Sequence, residues 1–216
     1  MAPTCLSGSR GFIAPRFLWR RQPKPRPVSG RGFVFHSPMD KAEIRTRMRA
    51  QRKLLNTPER VADIVRHTGD LPAGAVVALY SAIGAEVPTG DLAKALADQG
   101  RTLCLPVVVD RDAPMVFRLW SIGDPLEDDA AGCPAPLDLA GEVMPDLVIT
   151  PLVAFDGHGG RLGQGGGYYD RTFEALADVM RVGLAFAGQE VEALPVEAHD
   201  ICLHGILTEN GYRPFK

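Results

Sequence analysis

The sequence predicts the α/β class: a mostly parallel sheet with helices packed on its faces, forming one domain after a basic leader. Short continuous apolar runs at 75–80, 102–109 and 147–149 have the composition of strands buried on both faces. A helical stretch separates the first two, and that alternation requires a parallel sheet with crossover helices. With 216 residues and a hydrophobic content of 45%, the chain can bury one full core.

Residues 1–39 stand apart. They carry seven Lys or Arg and no acid, are rich in Pro, Gly and Ser, and are expected to be disordered. Three readings compete: an organelle transit peptide, which the prolines of QPKPRPVSG oppose; a nucleic-acid-binding arm; and a segment upstream of a start at Met39. The last is preferred, because ordered-looking sequence begins at once with Asp40. Beyond the leader, 26 acids face the 17 Lys and Arg that remain, a body charge of −9. Such a body is a poor general nucleic-acid binder, so any anionic ligand must be met by local cations.

From Asp40 the run DKAEIRTRMRAQRKLL predicts a helix, with Asp40 as N-cap and Glu43 completing a capping box. Ile44, Met48 and Leu55 can face the core, while Lys41, Arg45, Arg49 and Arg52 form a cationic stripe along another face, by itself most simply a solvated one. Thr57-Pro58 opens a second helix ending near Gly69. Strand 75–80 is followed by Glu86, a helix over 87–99 stopped by Gly100, and a strand over 102–109. Ligands of such sheets bind beyond the carboxyl ends of the strands, which puts Glu86 in the right region. Another strand is expected over 115–120, an irregular loop over 124–145, a helix over 168–180 and a strand over 181–187. Phe117, Trp120 and Tyr168 are aromatics able to stack on a flat ligand, or to serve as plain core.

The stretch 150–171, TPLVAFDGHGGRLGQGGGYYDR, concentrates the chemistry. Seven glycines fall between Gly157 and Gly167, after the apolar run 147–149 and before the helix beginning near Tyr168, so a strand-to-helix turn is expected there. Glycine permits positive φ and close approach, and a helix N-terminus offers unpaired N–H donors to an anion. Arg161 suits a phosphate directly, whereas Asp170 beside a phosphate needs a bridging divalent cation. A nucleoside triphosphate with Mg²⁺ fits both. The common phosphate loops are excluded: Gly163 is followed by Gln164 and Gly165 where a P-loop needs Lys and Ser or Thr, and a dinucleotide fingerprint would need glycine where Tyr168 stands.

Phe155-Asp156, Gly160-Arg161-Leu162-Gly163 and Gly165-Gly166-Gly167-Tyr168-Tyr169-Asp170-Arg171 together closely resemble the signature of the 5-formyltetrahydrofolate cyclo-ligases, also called methenyltetrahydrofolate synthetases. The resemblance runs from Lys41 to about Gly211, with Gln189, Pro195, His199-Asp200 and Thr208-Glu209 in family order. It implies a three-layer α/β/α domain over 40–216, related to the sugar-phosphate isomerase and CoA transferase folds. It also implies ATP- and Mg²⁺-dependent cyclisation of 5-formyltetrahydrofolate, free or polyglutamated, to the 5,10-methenyl compound through a phosphorylated formyl group. Carried over residue by residue, ATP falls to Lys41, Arg45, Arg161, Leu162, Gly163, Gln164, Gly165, Gly166, Gly167, Tyr168 and Tyr169. Folate falls to Ser81, Glu86, Gln164, Gly165, Gly166, Gly167 and Tyr168, and Mg²⁺ to Asp170 and Asp200. No protein nucleophile is implied. The family often carries arginine at position 164 and lysine or glycine at 166, so Gln164 with Gly166 leaves one cation fewer near the phosphates.

Competing classes are weaker. A silent folate-binding relative would not need Lys41, Glu86, Arg161, Asp170 and Asp200 together, and an isomerase-like enzyme would need neither ATP nor Mg²⁺. His199, Asp200 and His204 match no zinc spacing. Cys5, Cys104, Cys133 and Cys202 are scattered without a CxxC pair, which points to a reducing cytoplasm, and no apolar run reaches the roughly 18 to 20 residues of a membrane span. A monomer without nucleic-acid or membrane partners is expected.

Overall fold

The computed structural model describes residues 39–195, 197 and 200–216, so residues 1–38 of the leader and His199 lie outside it. The chain opens with α1 (Lys41–Leu55) and α2 (Pro58–Arg66), then β1 (Val76–Ala78), α3 (Gly90–Asp98), β2 (Thr102–Val107) and β3 (Val116–Leu119). A small hairpin follows, β4 (Leu126–Asp128) with β5 (Pro134–Pro136), and then β6 (Leu147–Pro151), β7 (Ala154–Asp156), β8 (Arg161–Leu162) and α4 (Tyr168–Ala175). The chain closes with β9 (Met180–Leu184), β10 (Glu190–Val191), β11 (Gly205–Thr208) and β12 (Gly211–Pro214).

The main sheet has the order β12-β11-β9-β6-β1-β2-β3. Strands β11, β9, β6, β1 and β2 run parallel, and antiparallel β12 and β3 close the two edges. Its layering follows from the two-residue period of a strand. Val77 and Leu79, Leu103 and Leu105, Leu147 and Ile149, Val182 and Leu184 all point to one face, where they pack with Ile64 of α2 and Leu92 and Leu96 of α3. The intervening Ala78, Cys104 and Val148 point to the other face and meet Phe173 of α4. Both faces of the central strands are therefore apolar, which is why these segments read as unbroken hydrophobic runs. Helix α1 packs Ile44 and Met48 on Val153, Ala154 and Leu162, the hairpin that follows β6.

Local differences from the sequence expectations have physical causes. Helix α3 begins at Gly90 rather than residue 87, because Val87 and Thr89 are tied back to Tyr80: its hydroxyl donates to the Val87 carbonyl at 2.9 Å, and Thr89 Oγ1 donates to the Tyr80 carbonyl at 2.9 Å. Helix α4 stops at Ala175, short of residue 180, since Met180 is already in register with Leu147 as the first residue of β9. The loop 124–145, expected to be irregular, contains the β4–β5 hairpin, whose prolines sit on a two-stranded ribbon where a missing N–H is tolerated. The glycine stretch does not run directly from strand to helix. The β7–β8 hairpin intervenes, and the buried Asp156 organises its turn by accepting the amides of His158, Gly160 and Leu194 at 3.0, 2.9 and 3.1 Å. A Cβ at Gly160 would come within 2.6 Å of that carboxylate, which accounts for the glycine. No helix among the described residues is long and apolar enough to cross a membrane.

Candidate active site

Strand β1 is the point where the sheet reverses direction of growth: β2 and β3 are added on one side of it, β6 and the later strands on the other. At such a reversal the loops leaving adjacent carboxyl ends diverge and open a crevice. A cleft of about 790 Å³ occupies this position, within the size range of small-molecule sites. It is lined by the start of α1, the loops after β1 and β2, the β4–β5 connection, and the glycine turn between β8 and α4.

The glycine turn is shaped by backbone geometry. Gly165 and Gly167 take φ of 110° and 69°, the left-handed region that suits glycine, and Gly167 is the residue from which α4 starts. Arg171, one turn into α4, holds the turn from behind, donating to the carbonyls of Gly166 at 3.1 Å and Arg111 at 2.6 Å while stacking 5.2 Å from the Tyr168 ring centre. Tyr168 lines the cleft. Phe117 and Trp120 do not: the first is buried among Ala78, Cys104 and Val148, and the second packs on the opposite apolar cluster.

Arg161 enters from β8. Its guanidinium is buried, pairs through Nη2 with Asp170, and lies over the rings of Tyr169 and Phe173, while Nη1 has no hydrogen-bond partner. Burial pushes the Arg161 guanidinium down from its ordinary range, and the Asp170 carboxylate opposes this. Tyr169 is pushed up, first by burial and then by the charge of Glu86, so its phenol stays protonated. A buried orphan N–H in the cleft wall is a group that an anionic oxygen would satisfy.

The stripe of α1 is engaged along its length, with Arg52 buried, Lys41 and Arg45 half-buried and Arg49 exposed. Lys41 Nζ lies 2.8 Å from Asp200 Oδ2 and 3.3 Å from Glu197. Burial alone would push the Lys41 ammonium down, but these two carboxylates outweigh it and hold it above its usual value. Arg45 donates to the Gly163 carbonyl at 2.9 Å, and Arg49 forks onto Gln164 Oε1 through Nε at 2.9 Å and Nη2 at 2.7 Å. Arg52 is buried, donates to the Leu152 carbonyl at 3.0 Å and lies 3.7 Å from Glu86. Thus Arg49 and Arg52, placed on the stripe but given no ligand role by sequence, are the residues that anchor the glycine turn and Glu86. Their spacing along α1 puts them on one face with Lys41 and Arg45, but the partners they meet there are set by the fold.

Glu86 is only 5% exposed although it belongs to a loop. Its Oε2 accepts the Ile83 amide at 3.0 Å, and Oε1 faces Arg52 and the Gln164 side-chain amide, 3.3 Å away. Ser81 Oγ donates to the Pro134 carbonyl at 2.7 Å, tying the β1 loop to the β4–β5 hairpin. Cys133 lies in the same wall, its thiol pushed up by burial, and is free, like Cys104 and Cys202.

Asp170 and Asp200 meet at one corner. The Ile201 amide, adjacent in the chain to Asp200, lies 3.5 Å from Asp170 Oδ1, and both aspartates line the cleft. No group of three or more His, Cys, Asp or Glu suited to a metal occurs among the described residues. Two carboxylates without a third ligand do not make an all-protein cage. They fit Mg²⁺ that takes most of its ligands from phosphate and water oxygens.

The 5-formyltetrahydrofolate cyclo-ligase family matches this chain over residues 38–209. The chain is 37% identical over 138 residues to the 5-formyltetrahydrofolate cyclo-ligase of Haemophilus influenzae, covering 61% of this chain and 74% of that protein. It is 30% identical over 186 residues to that of Mycolicibacterium smegmatis, covering 80% and 95%. Among solved structures, the 5,10-methenyltetrahydrofolate synthetase of Aquifex aeolicus superposes with a TM-score of 0.69 at 31% identity, covering 82% of this chain and 94% of that one.

Proposed function

The chain belongs to the 5-formyltetrahydrofolate cyclo-ligase family and is an enzyme of that type, and we propose that it closes 5-formyltetrahydrofolate to 5,10-methenyltetrahydrofolate at the expense of MgATP. The observation that carries this reading is the convergence on one cleft of Lys41, Arg45 and Arg161 from two separate elements, with Glu86 beside the glycine turn and Asp170 and Asp200 at the corner.

A formamide oxygen is a poor leaving group. In the proposed reaction it attacks the γ-phosphorus of ATP, the bond to the β-phosphate oxygen breaks, and ADP leaves. The formyl carbon is then joined to N5 and to a phosphorylated oxygen. The N10 lone pair adds to that carbon, the carbon–oxygen bond breaks to release phosphate, and N10 gives up its proton as the N5–C–N10 bridge forms. Phosphoryl transfer of this kind depends on positioning and charge neutralisation more than on covalent chemistry by the protein. Lys41, Arg45, Arg161 and the amides of residues 163–167 hold the triphosphate, Leu162 and Tyr169 support the turn, and Asp170 and Asp200 hold Mg²⁺. The bound Mg²⁺ supplies neutralisation of phosphate charge. Glu86 orients the folate through its ring N–H groups, Tyr168 stacks against the pterin, and Ser81 fixes the loop that carries Glu86. A cytoplasmic, monomeric enzyme is consistent with free cysteines and an acidic body.

Purified protein incubated with 5-formyltetrahydrofolate should develop the methenyl chromophore only when both ATP and Mg²⁺ are added. Absence of the chromophore with both present overturns the proposal. Its appearance without ATP would assign a different chemistry.

A further inference from the structure

The Gln164 side chain lies between Arg49 of α1 and Glu86 of the loop after β1. Its Oε1 accepts two N–H groups from Arg49 of α1, at 2.9 and 2.7 Å, and its Nε2 lies 3.3 Å from Glu86 Oε1. An arginine only donates and a carboxylate only accepts, so the amide has a single satisfactory orientation. Glu86 Oε2 is already occupied by the Ile83 amide, which leaves Oε1 as the oxygen available to a ligand in the cleft. Oε1 is also faced by Arg52 at 3.7 Å, so a folate N–H reaching it competes with the Gln164 amide, and a phosphate oxygen that draws the Gln164 nitrogen toward the glycine turn weakens its bond to Glu86.

Resting on the reading of the site given above, we infer that Gln164 is a positioning residue that couples the two substrates. Folate at Glu86 Oε1 displaces the Gln164 amide and leaves its N–H for the nucleotide; nucleotide phosphate drawing that N–H leaves Oε1 to the folate. Arg49 keeps the side chain in place during the exchange. Each ligand removes a competitor of the other, so the coupling is positive, and linkage makes it equal in both directions. One hydrogen bond exchanged in this way corresponds to about a fivefold change in affinity.

The test is calorimetric titration of a non-hydrolysable ATP analogue with Mg²⁺, with and without saturating 5-formyltetrahydrofolate, and the reverse titration. The native protein should bind each ligand about fivefold more tightly in the presence of the other, by the same factor both ways. Gln164→Leu should still bind both, with the factor reduced to about one. Gln164→Glu keeps an acceptor for Arg49 but has no N–H, and should lose the factor as well. Coupling that survives in either variant, or a native factor of one, overturns the inference alone. Failure of the native protein to bind one of the ligands overturns the reading of the site and the coupling with it.

Discussion

Asp200 and Lys41 lie 2.8 Å apart in the cleft wall, yet one is assigned to Mg²⁺ and the other to phosphate. The two assignments are compatible if the ion pair is the resting arrangement and opens when a phosphate takes the ammonium and the divalent cation takes the carboxylate. Asp200→Asn should then lower Mg²⁺-dependent turnover at least roughly tenfold, about 1.4 kcal/mol in transition-state terms, and shift the Mg²⁺ dependence to higher concentration. Turnover unchanged at limiting Mg²⁺ removes Asp200 from the metal site. The sequence signature contained every residue of the turn between β8 and α4 except Gln164, because glycines at forced backbone angles and charged residues beside them leave a literal trace. It did not contain the partners. That Gln164 lies between Arg49 and Glu86 depends on separations of 115 and 78 residues, which only the packing of α1 against the turn creates.

Helix α1 shows how an element carries a site. Its capping box is formed in full, with Asp40 Oδ1 accepting the Glu43 amide at 2.8 Å and Glu43 Oε2 accepting the Asp40 amide at 3.2 Å. Asp40→Ala should cost about 1 kcal/mol, lowering the thermal midpoint by roughly 2–4 °C in a domain of this size, as measured by calorimetry. No change in the midpoint would mean that packing of Ile44 and Met48 alone fixes the helix start. This helix, its cap and its apolar face were readable in advance because they are local properties of sixteen successive residues. The β7–β8 hairpin and the terminal β11–β12 pair were not: the two strands of the former comprise three and two residues, too few for a periodic signal, and their burial comes from neighbours distant in sequence. Arg52 was missed for a related reason, since only the fold places a carbonyl of β7's approach and the Glu86 carboxylate around a guanidinium that sequence patterning assigns to solvent.

At the scale of the molecule, the apolar clusters and the cleft lining, among the described residues, are made from Asp40 onward. Residues 1–38 have the basic, acid-free, Pro- and Gly-rich composition of a segment that builds no core, so a chain beginning at Met39 should keep its thermal midpoint and its activity; a drop of several degrees would show that residues 1–38 pack on the domain. The parallel class of the sheet was apparent from its doubly buried strands, whereas its order was not, because nothing in a strand's own residues names its neighbour. That order has a consequence for biosynthesis. Strand β1 takes β2 as its first neighbour, but its other edge waits for β6, with Val76 bonded to Asp146, 70 residues later. At ribosomal rates of about 5–20 residues per second, that edge of the nascent chain stays unpaired for roughly 4–14 s. The β1–β6 seam is also the one along which the cleft opens, so a polypeptide interrupted before β6 would present an open strand to any chaperone or neighbouring chain and would have no place to hold a substrate.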